Sequence, residues 1–501
     1  MTDAGTDMDR IIENEKGRET EALSFFVRLD LFLRHDIFIA EVCACISACG
    51  VKGYLVGGLL RDLALNRGSA KDYDFVVSGM AEAVAGLAAG RLGGSFFLLD
   101  RLSGAYRAVI KTGAAVVTLD FSPMRGVLVE DDLMARDFTV NAMAADLSAF
   151  SEGHAVVIDP SNGLVDASAS VLRAVSEGAF VEDPLRCVRA VRLSHCCGLE
   201  IEPATMVLVR ASAGLLKGTA AERIREELIL IFGCSSGSKA ISRLYELGIM
   251  DVIAPVLSGW KDIGGYDLLG HSLATLNEAD RLLDEFSAGT FISHHEELRA
   301  FMSRRIGPIG MDVFFRVCAF LHDIGKPLAI DRESGRLRFI GHDSAGAALA
   351  KELLLSLRFS KAFSTAVSGV IKNHHRVFML FLLPERSARV RAHFFRASGG
   401  SSGVTLLLLA LADARATSGR RDLALEALVS EMIGFYYSVY LKKKPRPILT
   451  GDEIMRIFSL AEGKAVGEAL RAVSMGVEEG AIKTRKDALS YLGRWLQGQS
   501  G

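Results

Sequence analysis

One segment, residues 54–76, constrains the fold of this chain more than any other. It reads YLVGGLLRDLALNRGSAKDYDFV and combines an apolar lead-in, a glycine pair, an Arg-Asp step and a pair of alternating aspartates. The pattern predicts a strand, a tight turn, a helix and a second strand, and aspartates spaced i, i+2 on a strand point to the same face. Paired carboxylates bind hard divalent cations, and a glycine turn that opens a helix lets a triphosphate approach the backbone. The segment therefore predicts a metal and triphosphate site, unless the glycines form only a turn and the aspartates only a solvated strand end. The candidate residues are Gly57, Gly58, Arg61, Asp72 and Asp74.

Length and charge limit the class of protein. A chain of 501 residues is too long for one ordinary domain, and its length suggests roughly three or four. Lys plus Arg number 58 against 60 for Asp plus Glu, a formal net charge of −2. Any contact with a nucleic acid must therefore come from local basic patches.

The apolar and cysteine content predicts a cytoplasmic protein without a membrane partner. The longest apolar runs, VFMLFLL and VTLLLLALA, are far below the roughly 18 to 20 residues needed to span a bilayer, so we expect buried helices. The polar N-terminus lacks the basic and apolar regions of a signal peptide. The 8 cysteines form no CxxC pair, which favours reduced core residues over disulfides or a zinc site.

A second block, MARDFTVNAMAAD, follows about sixty residues after the first aspartate pair. Taken alone, Asp137 and Thr139 are good capping residues and could simply start a helix. Together, however, the pattern GGxxRD, DxD and RDFTxNA resembles the nucleotidyltransferase family that contains the class II CCA-adding enzymes and the bacterial poly(A) polymerases. This resemblance implies that Arg136, Asp137 and Asn141 contact the sugar and triphosphate of a nucleotide.

Two further segments complete the predicted head. The runs AYRAVIK and AAVVTLDF flank a Thr-Gly turn and predict a hairpin with Asp120 near the end of its second strand. Asp120 is either a third catalytic carboxylate or a solvated strand end. The segment VIDPSNGLVDASASVLRAV resembles the DPxxG connector of the family, and we interpret its Asp159 and Gly163 as shape-determining residues.

The block FVEDPLRCVRAVRLS predicts how a base is chosen. Asp183 could be only the N-cap of a helix that begins at Pro184. Its spacing nevertheless keeps an aspartate and a series of arginines close to one face. Aspartate can accept a hydrogen bond from the exocyclic amine of cytosine or adenine, and arginine can donate two parallel bonds. The block resembles the EDxxR element by which class II enzymes select the incoming base without a nucleic-acid template. The candidate residues are Asp183, Arg186, Arg189 and Arg192.

Five of the 11 histidines fall in the segments GHSLATL, FLHDIGKP, FIGHDSAG and KNHHR, followed by an aspartate in LALADARA. The pattern resembles an HD phosphohydrolase domain, in which such side chains bind one or two divalent metals that activate water against a phosphoester. In some bacterial relatives this domain hydrolyses phosphate esters, including 2′,3′-cyclic ones. The expected ligands are His271, His322, Asp323, His342, His374, His375 and Asp413.

The expected fold class is α+β: a nucleotidyltransferase head with a small mixed β-sheet and helices, then an all-α remainder. The segment LKKKPRPILTGDE is interpreted as a linker or as a phosphate contact on the RNA. Within the head, a single helix is expected to end at Gly50. The predicted parts are a disordered tail (1–20), the head (21–165), a helical neck and body (166–260), an HD domain (261–425) and a C-terminal helical unit of RNA-binding type (426–501).

The resemblance implies a template-independent tRNA nucleotidyltransferase that adds C, A or both to RNA 3′ ends from CTP and ATP. Mg²⁺ is expected at the head site, and a divalent transition metal or Mg²⁺ at the HD site. Only SPMRGVLVEDDLMA separates Asp120 from Arg136, where full CCA-adding enzymes usually carry a longer flexible loop. Partial addition of CC or A, or a poly(A) polymerase activity, therefore remains open. An HD phosphohydrolase with a degenerate head and a non-catalytic RNA-binding protein are disfavoured by the intact carboxylates.

Overall fold

The structure is a computed structural model that describes most of the chain. The predicted disordered tail and part of the predicted linker lie outside the described residues. The described residues are 24–68, 72–113, 115–150, 156–290, 294–331, 337–442, 448–461, 463–478, 482 and 484–498.

The chain divides into two compact units. The first contains Met1–Leu383 and Ser398–Glu426, and the second contains Pro384–Ala397 and Ala427–Gly501. The C-terminal unit thus includes a segment, Pro384–Ala397, that the sequence analysis assigned to the HD domain. Its helix packs on the second unit through Phe395, whose ring lies 4.9 Å from that of Tyr436.

The head is built on a seven-stranded mixed sheet with the strand order β3-β4-β5-β2-β1-β6-β7. All neighbouring pairs are antiparallel except β2 and β5, which run parallel. The strands are β1 Gly53–Val56, β2 Asp72–Val77, β3 Ser95–Asp100, β4 Ala105–Thr112, β5 Ala115–Pro123, β6 Ala144–Asp146 and β7 Val156–Ile158. The helices of the head are α1 (24–35), α2 Ile37–Cys49, α3 Gly58–Ala64, α4 Ala81–Arg91, α5 Val129–Met134, α6 Leu147–Phe150 and α7 Gly163–Ser168.

One face of the sheet is buried and the other carries the polar candidates. In β2 the side chains alternate, so that Tyr73 and Phe75 are buried whereas Asp72 and Asp74 lie on the opposite face. The buried residues pack with those of α1, α2 and α4 in one core cluster. The predicted hairpin is confirmed as β4 and β5.

The expected helix before Gly50 is interrupted at Asp36. This carboxylate accepts hydrogen bonds from the amides of Phe38 and Ile39, which begins a new helix, and it also accepts one from the Tyr73 hydroxyl at 2.6 Å. The single-helix prediction is therefore wrong at this point. Gly50 does end α2, in the left-handed conformation that glycine adopts without strain.

Helices dominate the chain after the head, as the sequence predicted. The neck helices are α8 Ala179–Glu182, α9 Arg186–Cys197, α10 Pro203–Ser212, α11 Ala221–Gly233, α12 Gly237–Glu246 and α13 Ile249–Ile253, with short strands β8 Val171–Leu172 and β9 Glu200–Ile201. The next helices are α14 Leu268–Ala288, α15 His295–Met302, α16 Met311–Leu321, α17 His342–Ser356, α18 Lys361–Asn373, α19 Arg376–Phe381, α20 Ala388–Ala397, α21 Ser402–Ser418 and α22 Leu423–Phe435. Two short hairpins accompany them, β10 Arg305–Ile306 with β11 Ile309–Gly310 and β12 Ile330–Asp331 with β13 Arg338–Phe339.

The C-terminal unit ends in a small bundle of its own. Its helices are α23 Gly451–Phe458, α24 Lys464–Glu478 and α25 Arg485–Gly498. Thr450 and Glu453 form a reciprocal capping box that starts α23. Ile454 and Leu492 are fully buried in the core that the three helices share.

The prediction of reduced cysteines is wrong for one pair. Cys196, in α9, and Cys234, directly after α11, form a disulfide with a Cα–Cα distance of 5.8 Å. They lie 38 residues apart, and the packing of α9 against α11 brings them together. The other cysteines are free, as expected.

The two long apolar runs behave differently. VTLLLLALA lies in the buried part of α21, as predicted, whereas VFMLFLL forms an amphipathic segment that exposes Met379 and Leu382. Among the described residues, no single helix is long and apolar enough to cross a membrane. By length and composition alone, the consecutive helices α20 and α21 would be long and apolar enough only if the two are taken together.

Candidate active site and metal centre

The glycine turn between β1 and α3 approaches the carboxylates of β2 closely. Gly57 has a φ of +78°, and a Cβ atom at this position would lie 3.0 Å from Asp74 Oδ2. A side chain here would therefore be strained and crowded, and glycine keeps the turn open. A cavity of about 640 Å³ lies beside the turn, lined among others by Gly58, Arg61, Asp72 and Asp74.

Asp120 joins the aspartate pair because β2 and β5 are parallel. In the sheet register Asp74 lies directly opposite Asp120, and Asp72 lies opposite Thr118. Arg107 in β4 makes two hydrogen bonds to Asp120, at 2.7 and 2.6 Å. Burial raises the pKa of Asp74, and the neighbouring Asp120 raises it further, whereas Arg136 lowers it. The three carboxylates thus concentrate negative charge, which is the environment that a divalent cation compensates.

The connector between Asp120 and Arg136 is short and folded. After β5 the chain forms α5, and the buried Asp132 pairs with Arg136 at 3.1 Å. Asp131 accepts hydrogen bonds from the amides of Val127 and Leu128. The connector therefore contains a helix with its own internal contacts.

The RDF block forms a hydrogen-bonded chain, and the alternative of a side-chain-capped helix is wrong. The only helical turn is the 3₁₀ segment Thr139–Asn141, and no side chain caps it. Instead, Arg61 donates to Asn141 Oδ1 at 3.0 Å, and Asn141 Nδ2 donates to Asp137 Oδ1 at 3.0 Å. The block is thereby tied to the glycine-turn helix α3.

The same chain continues into the neck through Arg189. Its guanidinium donates to Asp137 Oδ2 at 2.9 and 2.7 Å, and it also lies 3.4 Å from Glu227 in α11. Glu227 is buried and forms an ion pair with a second arginine, Arg192, at 2.6 Å. Burial alone would raise the pKa of Asp137, but Arg189 and Asn141 lower it to about 2. The carboxylate is therefore charged, and a paired charge connects head and neck.

The DPxxG connector packs directly against the backbone of the RDF block. Asp159 accepts hydrogen bonds from the amides of Gly163 and Leu164 and so starts α7. A Cβ atom at Gly163 would lie 2.1 Å from the Thr139 carbonyl oxygen. Backbone contact this close permits only glycine, which supports our interpretation of the connector as a shape element.

The expected base-selecting residues lie around the start of α9. Asp183 is two residues before the cap position of α9 and forms an ion pair with Arg223 at 2.7 Å. The Arg186 guanidinium is largely buried and donates to the carbonyls of Ala179 and Ala135. Arg189 and Arg192 both face the buried Glu227. Arg189 therefore joins the neck to the head through Asp137, whereas Arg192 joins α9 to α11 within the neck. The Asp183 carboxylate is partly exposed.

The predicted HD residues converge into two adjacent groups. The first contains His271, His322 and Asp413, and the second contains His342, His374 and His375; within each group the ligand atoms lie within 4.8 Å of one another. Their elements, α14, the end of α16, α17, the residues after α18, and α21, pack around one centre.

Asp323 lies between the two groups and faces both. Its Oδ2 is 3.4 Å from His271 Nε2 and 3.1 Å from His322 Nε2. Its Oδ1 is 3.1 Å from His342 Nε2 and 3.7 Å from His374 Nε2. One carboxylate oxygen is thus directed at each group, which is how a carboxylate bridges two cations.

The electrostatics of His374 match a metal ligand, whereas His271 is paired with carboxylates. Burial, together with His322 and His375, lowers the pKa of His374 to about 3, so this imidazole is neutral at physiological pH. His374 Nε2 is buried and has no hydrogen-bond partner among the described residues. Although burial alone would lower the pKa of His271, hydrogen bonds to Asp323 and Asp413 raise it to about 9. A neutral imidazole with an unsatisfied nitrogen is the form that binds a metal.

Sequence reasoning missed three side chains that the structure places at these centres. Arg107 pairs with Asp120, Glu227 receives two arginines, and Lys326 donates to Asp323 at 2.6 Å. Arg107 could have been found from the hairpin, because register across a Thr-Gly turn places it opposite Asp120. Glu227 carried no signal, since a single glutamate on a charged helix is ordinarily solvated.

Three family models match the chain. The Poly A polymerase head domain matches residues 53–173, a probable RNA and SrmB-binding site of polymerase A matches residues 198–260, and the HD domain matches residues 269–417. Together they cover the predicted head from residue 53 onward, most of the neck and the histidine-rich region.

Similar proteins align over nearly the whole length. The chain is 33% identical to an A-adding tRNA nucleotidyltransferase of Deinococcus radiodurans, over 89% of this chain and 96% of the relative. It is 32% identical to a CC-adding tRNA nucleotidyltransferase of Geobacter sulfurreducens, over 89% and 92%. The structure of a Thermotoga maritima CCA-adding enzyme in complex with tRNA superimposes with a TM-score of 0.52 at 20% identity, over 93% of this chain and 98% of that one. The structural likeness concerns the fold.

The buried Asp137–Arg189 pair predicts a pH-dependent contribution to stability. Because the folded-state pKa of Asp137 is lowered from 3.8 to about 2, its ionisation stabilises the protein above the unfolded pKa. This contribution, about 2 kcal/mol, is lost as the pH falls from about 4 towards about 2. We expect Asp137→Asn to lower the urea midpoint at pH 7, with a difference from wild type that shrinks below pH 4, as measured by circular dichroism.

The control for this experiment is Glu177→Gln, which neutralises an exposed carboxylate of the neck. It should leave the midpoint unchanged at every pH. A difference between Asp137→Asn and wild type that stays constant from pH 7 to pH 3 would contradict a stabilising role for the Asp137 charge.

Proposed function

The chain belongs to the family of class II CCA-adding enzymes and bacterial poly(A) polymerases, and we propose that it is a template-independent tRNA nucleotidyltransferase. It adds C, A or both to tRNA 3′ ends from CTP and ATP. The observation that carries this proposal is the register of Asp74 opposite Asp120 beside the glycine turn, with the expected base-selecting helix tied to the same site through Asp137. These substrates also favour the cytoplasmic location expected from the sequence.

The reaction needs a bound triphosphate and an RNA hydroxyl. The hydroxyl oxygen bonds to the α-phosphorus, the bond from that phosphorus to the pyrophosphate oxygen breaks, and the hydroxyl proton is released. Gly57 and Gly58 leave room for the phosphates, and Arg61 supplies positive charge beside them. Arg136, Asp137 and Asn141 orient the sugar and triphosphate. Asn141 is hydrogen-bonded to Asp137 and Arg61, and Arg136 is bonded to Asp132, so these side chains are fixed before substrate binds.

Members of this family depend on divalent metal ions, and we assign Mg²⁺ to Asp72 and Asp74. Asp120 is the third carboxylate of the site. The donor set fits because it consists of oxygen ligands, and because burial and Asp120 both raise the pKa of Asp74, so the charge on this carboxylate is poorly compensated. Bound metal lowers the pKa of the attacking hydroxyl and stabilises the leaving pyrophosphate.

Addition to defined tRNA ends tests the proposal. Transcripts that end before CCA, after its first C or after CC are incubated with Mg²⁺ and with CTP and ATP, singly and together. C and then A on the shortest transcript indicates a full CCA-adding enzyme, and CC alone or A alone indicates a partial one. The short connector with α5 and the similarity to both an A-adding and a CC-adding relative favour a partial enzyme. Long A tails on any RNA would instead indicate a poly(A) polymerase.

A pair of variants assigns the activity to the head. We expect Asp72→Ala to reduce nucleotide addition at least about a hundredfold, because it removes a metal ligand from the transfer site. His322→Ala, in the histidine-rich centre, should leave addition unchanged. Addition that survives in Asp72→Ala would contradict the assignment.

Base choice is assigned to Asp183 and Arg186. Arg223 holds the Asp183 carboxylate, which is still partly accessible and can accept the exocyclic amine of cytosine or adenine. We expect Asp183→Ala to raise incorporation of UMP or GMP relative to CMP or AMP by about tenfold, with a smaller change in KM for the triphosphate. Primer-extension assays with each nucleotide measure the ratio.

Glu177→Gln is the control for this variant, because Glu177 is an exposed carboxylate just before α8. It should keep the selectivity of the wild type. If Asp183→Ala also keeps the wild-type selectivity, Asp183 does not select the base.

A second function, phosphohydrolysis, is favoured by the convergence of all the predicted HD ligands. We propose a centre for two divalent cations, with one group of ligands for each and Asp323 between them. The nitrogen-rich donor set favours a transition metal over Mg²⁺. Lys326, beside Asp323, offers a cation for a phosphate oxygen.

Metal content and hydrolysis test this centre together. We expect about two transition-metal ions per chain by mass spectrometry, and hydrolysis of 2′,3′-cyclic AMP. Asp323→Asn should lower both while leaving nucleotide addition intact, and Asp343→Asn, which changes a carboxylate adjacent to His342, should lower neither. A wild type that binds metal but hydrolyses no phosphoester would contradict the phosphohydrolase proposal.

A further inference from the structure

A single row of side chains crosses the head sheet from the catalytic carboxylates to its edge. Asp74 lies opposite Asp120, Asp120 opposite Arg107, and Arg107 opposite Phe97 in the edge strand β3. Directly opposed residues of neighbouring strands share a face. Phe97 and Arg107 therefore lie on the same face of the sheet as the catalytic carboxylates.

This part of the face is exposed to solvent and carries apolar as well as basic side chains. The exposed fraction is 49% for Phe97 and 49% for Val116 of β5, and Lys111 of β4 is also exposed. The opposite face of β4 and β5 is covered by α4, whereas β3 is exposed on both faces. We call the open side the β3–β5 face and define it by Phe97, Arg107, Lys111 and Val116.

The position of the triphosphate determines what approaches this face. The glycine turn and Arg61 lie on the β1 and α3 side of Asp74, so the pyrophosphate leaves on that side. The attacking oxygen and the leaving oxygen are roughly in line on opposite sides of the phosphorus. The RNA hydroxyl must therefore approach from the other side of Asp74, over β5, β4 and β3.

The chemistry of the β3–β5 face matches a single-stranded RNA end. Lys111 offers positive charge to phosphates, and Phe97 offers an aromatic surface on which a base can stack. Arg107 lies between them and is paired with Asp120. With strands about 4.8 Å apart, Phe97 lies about 10 Å from Asp120 and about 14 Å from Asp74 across the sheet. This is the distance of a base slightly upstream of the terminal nucleotide.

We propose that the β3–β5 face binds the single-stranded 3′ end of the RNA, with a base stacked on Phe97 and the backbone beside Arg107 and Lys111. This inference rests on the proposed nucleotidyl transfer and adds the surface that holds the acceptor end. Phe97 makes no contribution to the chemical step, and it acts by holding the RNA strand in line with the triphosphate.

The test is steady-state nucleotide addition by Phe97 variants. We expect Phe97→Ala to raise KM for tRNA about tenfold, because an aromatic side chain is lost beneath one base, with kcat and KM for the triphosphate nearly unchanged. Phe97→Trp should restore the KM for tRNA, and Phe97→Leu, which keeps apolar area but no aromatic ring, should not. Binding should also quench 2-aminopurine placed directly before the added nucleotides in wild type, and less in Phe97→Leu.

The matched control is Leu98→Ala, which truncates the next residue of β3, 43% exposed on the opposite face. It should leave KM for tRNA unchanged. If wild type adds nucleotides and Phe97→Ala keeps the wild-type KM for tRNA, the RNA assignment is overturned while the proposed transfer stands. A wild type that adds no nucleotide would instead remove the proposed function itself.

An edge strand with exposed apolar residues can also pair with a second copy of the chain. Sedimentation velocity of wild type and Phe97→Ala distinguishes this case. A dimer that dissociates in Phe97→Ala with no change in KM for tRNA would overturn the RNA proposal in favour of self-association. A single monomeric species for both proteins, with a raised KM in the variant, supports RNA binding.

Discussion

The buried ion pair between Asp137 and Arg189 is the contact on which the two halves of the transfer site depend. One partner belongs to the RDF block of the head and the other to the first long helix of the neck. Removing either would leave the other charge with fewer partners in a site shielded from water, which costs more than the pair itself contributes. The position of α9 relative to the head is therefore set by electrostatics as well as by packing. Glu227 adds a carboxylate on the neck side of Arg189, so the guanidinium is attracted to both the head and the neck.

Much of the head could be predicted because its signals are local. The glycine turn, the alternation in β2 and the hairpin each depend on a few neighbouring residues whose geometry is fixed by backbone physics. What could not be predicted depends on register between distant segments. Asp120 lies beside Asp74 only because β2 and β5 pair in parallel. Cys196 lies beside Cys234 only because their helices pack together. A sequence pattern fixes which face a residue occupies, but it does not state which strand lies next to it.

The histidine-rich centre shows the opposite relation between sequence and structure. Its ligands are spread over about 140 residues of chain, yet every predicted member converges. The resemblance supplied that set as a whole, so no pairwise contact had to be deduced. Its internal division was nevertheless hidden in the sequence, because it depends on the two oxygens of Asp323 facing different imidazoles.

Tyr73 lies between Asp72 and Asp74 of β2 and points the other way, into the core, where its hydroxyl donates to Asp36 at 2.6 Å. Sliding the strand by one residue would bury both carboxylates and bring the tyrosine to the surface. The hydroxyl also contacts the residue that begins α2, so the same slip would disturb the start of a helix. The Tyr73 hydroxyl thus fixes the register of β2 from the core side of the sheet, opposite the face that carries Asp72 and Asp74.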